Sequence, residues 1–270
     1  MRKSVAAAYL IAFVAALGLL ASPPLPAAEE AAAGKTAAAS EQLDWESWHA
    51  GNEVSNVASL QRGARNFMNY CIGCHSMKFL RYSRLADDLK IPLAQLQGNL
   101  LPNGAKAADY ITSSLSPADG EVWFGKAPPD LSLIARSRTP DHLYKFLKTF
   151  YVAPTRPTRT NNLVLNAAAT PAVLSELEGV KEAVFRNVEV TVDGKTTVEK
   201  RFDHFVTTAP GQLSGPQYDA FVRDTVNFLD YAGEPAQVDR RSIGVWVVLF
   251  LLVFTWFAML LKKEYWKDVH

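Results

Sequence analysis

Cys71-Ile72-Gly73-Cys74-His75 constrains this chain more than any other stretch, because both of its cysteines lie within it. Two thiols separated by two residues and followed at once by an imidazole match the pattern for covalent haem attachment. The sulfurs are spaced to meet the two vinyl groups of the macrocycle, and His75 stands where it can reach the iron as proximal ligand. Three other uses of the same residues compete. A disulfide here would close a very short loop, and the gain from closing a loop grows with its length. A zinc site would need two further Cys or His ligands in a clustered pattern, whereas His49, His142, His204 and His270 are scattered singly. A thioredoxin-like redox pair is the third use, and for an exported chain haem attachment takes precedence over it.

Export is indicated by the N-terminus. Arg2-Lys3 is followed by an apolar run from Val5 to Leu20 and then by Ala21-Ser22-Pro23-Pro24-Leu25-Pro26-Ala27-Ala28. A charged start, a hydrophobic middle and a small-residue exit describe a signal peptide over residues 1–28. An uncleaved membrane anchor fits less well, since the apolar stretch is short and breaks into prolines. Loss of Arg2 and Lys3 takes the formal net charge from +1 to −1. A near-neutral chain with no basic stripe gives no reason to expect nucleic acid. Glu29, Glu30, Glu41, Asp44 and Glu46 cluster near the mature start, and a solvated arm describes them better than an acidic docking face.

Residues 29–42 are alanine-rich and read as a flexible leader, with order beginning near Leu43-Asp44-Trp45. Leu60, Gly63, Ala64, Phe67 and Tyr70 then recur at helical spacing and bring the chain to Cys71 on a helix. Gly63 on its apolar face leaves room for a second helix to cross closely. The candidate is far downstream: Ser214 and Pro216 start a helix, Tyr218, Phe221, Val222, Thr225, Phe228 and Leu229 form its stripe, and Gly233 ends it. Crossed first and last helices beside a haem make a class I cytochrome c-like core. The fold class expected is therefore mainly α, with a domain over residues 43–239.

Residues 90–127, rich in Asn, Gly, Pro and Ser, read as loops with short helices rather than a sheet. Pro128-Pro129 holds the backbone extended, which suits a wall laid against a flat group and equally suits a rigid loop on the core. Residues 140–150 read as a helix with His142 exposed in its first turn, and residues 151–162 as an ordered irregular loop. Residues 185–205 alternate like strands around Asp193-Gly194, a strong hairpin signal, and read as a small two-stranded excursion. Residues 243–261 form an uncharged apolar run, flanked by Arg240 and Arg241 on one side and by Lys262, Lys263, Tyr265 and Trp266 on the other. At 1.5 Å per residue it spans roughly 28 Å, the thickness of a bilayer core. The charge rule is nearly balanced across it, so the signal peptide decides orientation: an anchor over residues 240–262 of the inner membrane, the domain on the periplasmic side, and a cytoplasmic tail over residues 263–270.

Taken together, Ser59-Leu60-Gln61-Arg62-Gly63-Ala64, the run from Asn66 to Tyr82 around the cysteines, Trp123-Phe124-Gly125, Pro128-Pro129-Asp130-Leu131-Ser132, Asn161-Asn162-Leu163-Val164 and Tyr231-Ala232-Gly233-Glu234-Pro235 resemble the proteobacterial cytochrome c1 family. The resemblance covers nearly the whole mature chain. It implies one covalent haem c and a place in the cytochrome bc1 complex with cytochrome b. It further implies electrons accepted from the Rieske iron–sulfur protein and passed to cytochrome c, and a dimeric complex in the lipid bilayer. It also implies that Pro129 and Leu131 pack on the haem while Arg138 and Tyr144 lie near its propionates.

One departure stands out. The family's sixth iron ligand is a methionine directly before a proline, and Thr170 occupies that place ahead of Pro171. The only methionines are Met1, Met68, Met77 and Met259, which belong respectively to the signal peptide, the proximal segment (two) and the anchor. The distal ligand is thus unassigned. Two functions follow: an electron carrier of the bc1 complex, favoured by the extent of the match and by the anchor, or a haem subunit with an open distal site and impaired electron transfer, kept for assembly or gas binding. A free-standing peroxidase-type enzyme is disfavoured, because no catalytic constellation accompanies the single motif.

Overall fold

A computed structural model describes residues 44–102, 104–192 and 195–267, all within one unit of the chain, residues 40–270. The signal-peptide and leader assignments lie outside the described residues.

Helix α1 (Val57–Tyr70) starts where the Asn56 side chain accepts the Ser59 N–H at 3.1 Å, and buries Leu60, Gly63, Ala64 and Phe67. Helix α8 (Gly215–Gly233) starts where the Gln217 carboxamide reaches back to the Ser214 N–H at 2.9 Å. The two cross with almost nothing between them. A Cβ at Gly63 would lie 2.1 Å from the Asp224 carbonyl oxygen and 2.6 Å from Phe228 Cβ, so only glycine fits. Polar groups lock the crossing. The buried Asp224 carboxylate accepts from Ser59 Oγ at 2.7 Å and from Arg62 at 2.5 and 2.8 Å. The Asn66 amide donates to Thr225 Oγ1 at 3.1 Å, and the Asn227 amide donates to Ser59 Oγ at 3.0 Å.

The segment between them wraps the crossing. Strand β1 (Met77–Arg81) leads into α2 (Tyr82–Leu89) and α3 (Leu93–Asn99), and β2 (Tyr110–Ile111) pairs back on β1. Buried Met77, Leu80, Tyr82, Leu85, Leu89, Leu96 and Ile111 join Phe67 and Phe228 in one core. Helices α4 (Pro117–Phe124), α5 (Ile134–Arg138) and α6 (Pro140–Lys148) follow, α5 and α6 packing on α8. Residues 151–162, expected to be irregular throughout, are irregular only in the middle. Their ends form an antiparallel pair of β3 (Phe150–Val152) and β4 (Thr160–Asn162), closed by the Ala153 N–H to Arg159 carbonyl bond at 2.9 Å. Residues 90–127 likewise contribute the short β2 that the loop reading did not anticipate.

After α7 (Ser175–Glu178), β5 (Gly179–Val192) and β6 (Lys195–Pro210) form the expected hairpin, longer at its base than the alternation indicates. Its turn lies outside the described residues. At the base Lys181 is sequestered with Glu178 and donates to the Lys148 carbonyl at 2.6 Å, which ties hairpin to α6. Beyond Gly233, α9 (Gln237–Tyr265) is exposed along its length and carries a window of mean hydropathy 2.5. Its 29 residues span about 43 Å, more than the roughly 30 Å of a hydrocarbon core. Among the described residues it is the one helix long and apolar enough to cross a membrane.

Gly63→Ala is expected to lower stability by at least about 2 kcal/mol, the scale of forced overpacking, seen as a fall of roughly 4 °C or more in melting temperature. A second test concerns Asp219 on α8. Burial opposes its charge, but hydrogen bonds from Lys148, Tyr144 and Arg223 outweigh that and hold its pKa below the ordinary value. The stability it supplies is complete above the unfolded pKa of about 3.9 and is lost as pH falls through the lower folded value. Asp219→Asn should therefore shift the urea midpoint most near neutrality, and the gap from the parent should shrink toward about pH 3.

Candidate haem-attachment site

Helix α1 hands the chain directly to the motif. The N–H groups of Cys71 and Ile72 both bond the Phe67 carbonyl, at 2.9 and 3.0 Å, and the turn then closes on the Cys71 carbonyl, which accepts from Cys74 at 3.1 Å and His75 at 2.9 Å. Ser113 fastens the turn from outside. Its hydroxyl donates to the Gly73 carbonyl at 2.9 Å, and its N–H donates to Ser76 Oγ at 2.8 Å.

A second segment lies along residues 75–79. His75 Nδ1 is 2.8 Å from the Pro129 carbonyl oxygen, and the Leu131 N–H donates to the Ser76 carbonyl at 2.8 Å. Asp130 splits its carboxylate between the Lys78 N–H and the Ser132 N–H, each at 2.9 Å, while Ser132 Oγ accepts the Phe79 N–H at 3.1 Å. The Leu131 and Asp130 bonds on either side of this segment hold the Pro129 carbonyl toward the imidazole.

A carbonyl only accepts, so Nδ1 carries the proton and Nε2 keeps its lone pair. Burial lowers the His75 pKa, against the opposing pull of Pro129 and Asp130, and favours the neutral ring. The thiols suit attachment rather than redox exchange. Both are free and partly buried, and burial, then proximity to Cys74, pushes Cys71 up to about 12. Redox cysteines depend on a depressed pKa, the opposite of this environment. Among the described residues no cluster of three or more His, Cys, Asp or Glu is placed to hold a metal ion, so the zinc alternative has no ligand set. Two free thiols and an imidazole with a free Nε2 are the donor set that haem c requires.

The remaining expected site residues fall into two groups. Pro129 and Leu131 are bonded into the segment that faces the motif, and Leu131 packs against the core. Arg138, at the exposed end of α5, makes no hydrogen bond or ion pair among the described residues. Tyr144 is buried, and its hydroxyl is already committed: it donates to Asp219 and accepts from Lys148 at 3.0 Å, on the face of α6 turned to α8. Thr170 is half-buried in the loop after β4. Sequence reasoning did not single out Asp130, Ser132 or Ser113 as the ties that hold the motif's surroundings. The signal was available for two of them, since Asp130-Leu131-Ser132 places polar residues inside an otherwise apolar run.

The family model for the cytochrome c1 family matches residues 48–269. Cytochrome c1 of Allochromatium vinosum is 47% identical over 223 residues, 81% of this chain and 87% of that protein. The ammonia monooxygenase gamma subunit of Nitrosomonas europaea is 38% identical over 212 residues, 78% of this chain and 84% of that one. Cytochrome b/c1 of Bradyrhizobium diazoefficiens is 25% identical over 246 residues, 78% of this chain and 33% of that protein. A match over this span, on a helical domain whose motif is preset for haem c and followed by an apolar helix, places the chain in the cytochrome c1 family.

Proposed function

We propose that this chain is the electron-carrying haem c subunit of a cytochrome bc1 complex, accepting electrons from a Rieske iron–sulfur protein and passing them to a cytochrome c. The observation that carries the reading is the His75 Nδ1 to Pro129 carbonyl bond beside the two free thiols of Cys71 and Cys74. Bound haem c supplies a one-electron iron couple. Cys71 and Cys74 would hold the macrocycle through thioether bonds to its vinyl groups, and His75 would offer its free Nε2 to the iron. Pro129 fixes the imidazole's orientation and raises its basicity, the usual contribution of such an outer partner. Arg138, without a hydrogen bond or ion pair among the described residues, is suited to a propionate by its planar fork.

The complex is supported by the cytochrome b/c1 relative, whose name joins both proteins in one chain, and cytochrome b is accordingly the proposed neighbour of α9. The reading further comprises one haem, a cleaved signal peptide over residues 1–28, a periplasmic domain over residues 43–239, a single-pass anchor in the inner membrane and a dimeric complex.

Attachment is tested by electrophoresis of the denatured protein with haem staining. The chain itself should stain, and Cys71→Ala or Cys74→Ala should weaken staining or prevent accumulation of the holoprotein. Haem that migrates free of the parent polypeptide would overturn the reading. The anchor is tested by ending the chain after Asp239, which should yield a red protein in the soluble periplasmic fraction that no longer co-purifies with cytochrome b; retention of that truncated chain in an intact membrane complex would count against it.

A further inference from the structure

Only Glu234, Pro235 and Ala236 separate α8 from α9. A linker of three residues reaches at most about 10 Å, and the Pro235 ring fixes one of its torsions. Backbone bonds tighten it further. The Glu234 N–H donates to the Tyr231 carbonyl at 3.0 Å, the Gln237 N–H to the Glu234 carbonyl at 3.0 Å, and the Arg240 N–H to the Ala236 carbonyl at 2.8 Å. The freedom such a joint retains is the angle of α9 to the domain, and a side-chain bridge across the joint would remove it.

Glu234 makes that bridge. From the domain, Arg136 on α5 donates through Nη1 to Oε2 at 3.0 Å. From α9, Arg240 donates through Nε to Oε1 at 2.5 Å and through Nη2 to Oε2 at 3.2 Å, a two-pronged grip. An isolated exposed ion pair contributes little, but a carboxylate shared by two guanidinium groups in bidentate geometry is the exception. The hydrogen bond from Arg240, with the charges of Arg240, Arg136 and Arg241 behind it, holds the Glu234 carboxyl below its ordinary pKa. The Arg136 stem is itself seated, since a Cβ at the buried Gly233 would lie 3.2 Å from Arg136 Cγ and 3.7 Å from the Ser132 carbonyl oxygen.

The domain residue held by this bridge belongs to the run that orients the motif. Fully buried Ser132 accepts the Phe79 N–H, the Leu131 N–H bonds the Ser76 carbonyl, and the Pro129 carbonyl meets His75 Nδ1. The same run then passes straight into α5. The Ile134 N–H bonds the Leu131 carbonyl at 3.3 Å, and the Arg136 N–H bonds the Leu133 carbonyl at 3.1 Å. One end of residues 129–136 thus fixes the His75 imidazole while the other end holds Glu234.

We infer that Glu234 is a positioning residue: by gripping Arg136 of the domain and Arg240 of the anchor together, it fixes the tilt of the haem-bearing domain on α9. This rests on haem attachment at Cys71 and Cys74 and on α9 as the membrane anchor. A group held in this way keeps one orientation above the bilayer, so each electron-transfer step meets the same geometry. Arg241, the next residue of α9, makes no hydrogen bond or ion pair among the described residues and stands outside the clamp.

The test reads the orientation of the haem rather than its activity. The full-length haem-bearing chain is reconstituted alone into phospholipid bilayers stacked on a flat support, and the electron paramagnetic resonance of the oxidised haem is followed as the stack is turned in the field. The parent signal should depend sharply on angle. Glu234→Gln, Arg136→Gln and Arg240→Gln should each broaden or shift that dependence, while the visible spectrum and the haem staining of the chain stay as in the parent. Arg241→Gln should keep the parental angular dependence. The double variant Arg136→Gln/Arg240→Gln should lose no more order than Glu234→Gln, because all three act through one carboxylate. Parental angular dependence in Glu234→Gln and Arg240→Gln overturns the inference, as does a parent with no angular dependence in bilayers that retain the chain. An equal loss in Arg241→Gln also overturns it, since positive charge near the membrane surface would then set the tilt. Arg240 lies on exposed α9, outside the packed core, so its variant reads the clamp even where Glu234→Gln impairs folding. Haem lost on denaturation would instead defeat the attachment reading, and a chain that washes off the bilayers would defeat the anchor reading, which separates those failures from this one.

Discussion

The backbone of α8 at Asp224 lies so close to Gly63 that no side chain can stand between them, and the position of Cys71 follows from that contact. Two turns of helix separate Gly63 from the first cysteine, and an α-helix has little freedom over that distance. Once α1 is seated on α8, the turn from Cys71 to His75 is delivered to a fixed place relative to the rest of the core. The polar groups at the crossing add direction to closeness. Asp224 is buried but surrounded by donors from Ser59 and Arg62, so its charge is compensated within hydrogen-bonding distance. A sliding of α1 by one residue would strand that carboxylate.

A second constraint acts at the motif. Residues 75–79 and 129–132 are laced by backbone and short side chains, with Asp130 bridging the N–H groups of Lys78 and Ser132. This lacing brings the Pro129 carbonyl to His75 and thereby sets which ring nitrogen is free. Burial raises the pKa of the Cys71 thiol and lowers that of the His75 imidazole, which suits bonds to vinyl groups and iron better than thiolate chemistry at Cys71. The charged clusters lie elsewhere, around Asp219 on α8 and around Glu178 and Lys181 at the base of the hairpin, where they join helices and strands to each other.

Much of this was legible in the sequence because its signals are local or strongly periodic. The helix from Val57 to Tyr70, the one from Gly215 to Gly233 and the apolar α9 carry long stripes with caps or uninterrupted apolarity. The use of Gly63 followed from its place on an apolar face. What escaped detection depends on non-local pairing. Strands of two or three residues, such as β2, β3 and β4, are too short to show alternation. The hairpin extends at its base beyond Phe185 and Phe205, and its register shifts twice there, with Asp203 and Thr208 as the extra residues on β6. Tyr144 illustrates a different limit: its sequence position gives no hint that Asp219, 75 residues away, accepts its hydroxyl.

The central claim is that both sulfurs of the motif are bonded to one macrocycle. Its most direct test is mass spectrometry of the tryptic peptide covering residues 66–78 after exposure of the unfolded, reduced protein to an alkylating reagent. The account predicts a peptide that carries the mass of one haem and no alkyl group, since neither Cys71 nor Cys74 retains a thiol. A peptide of the bare sequence with two alkylated cysteines would contradict it.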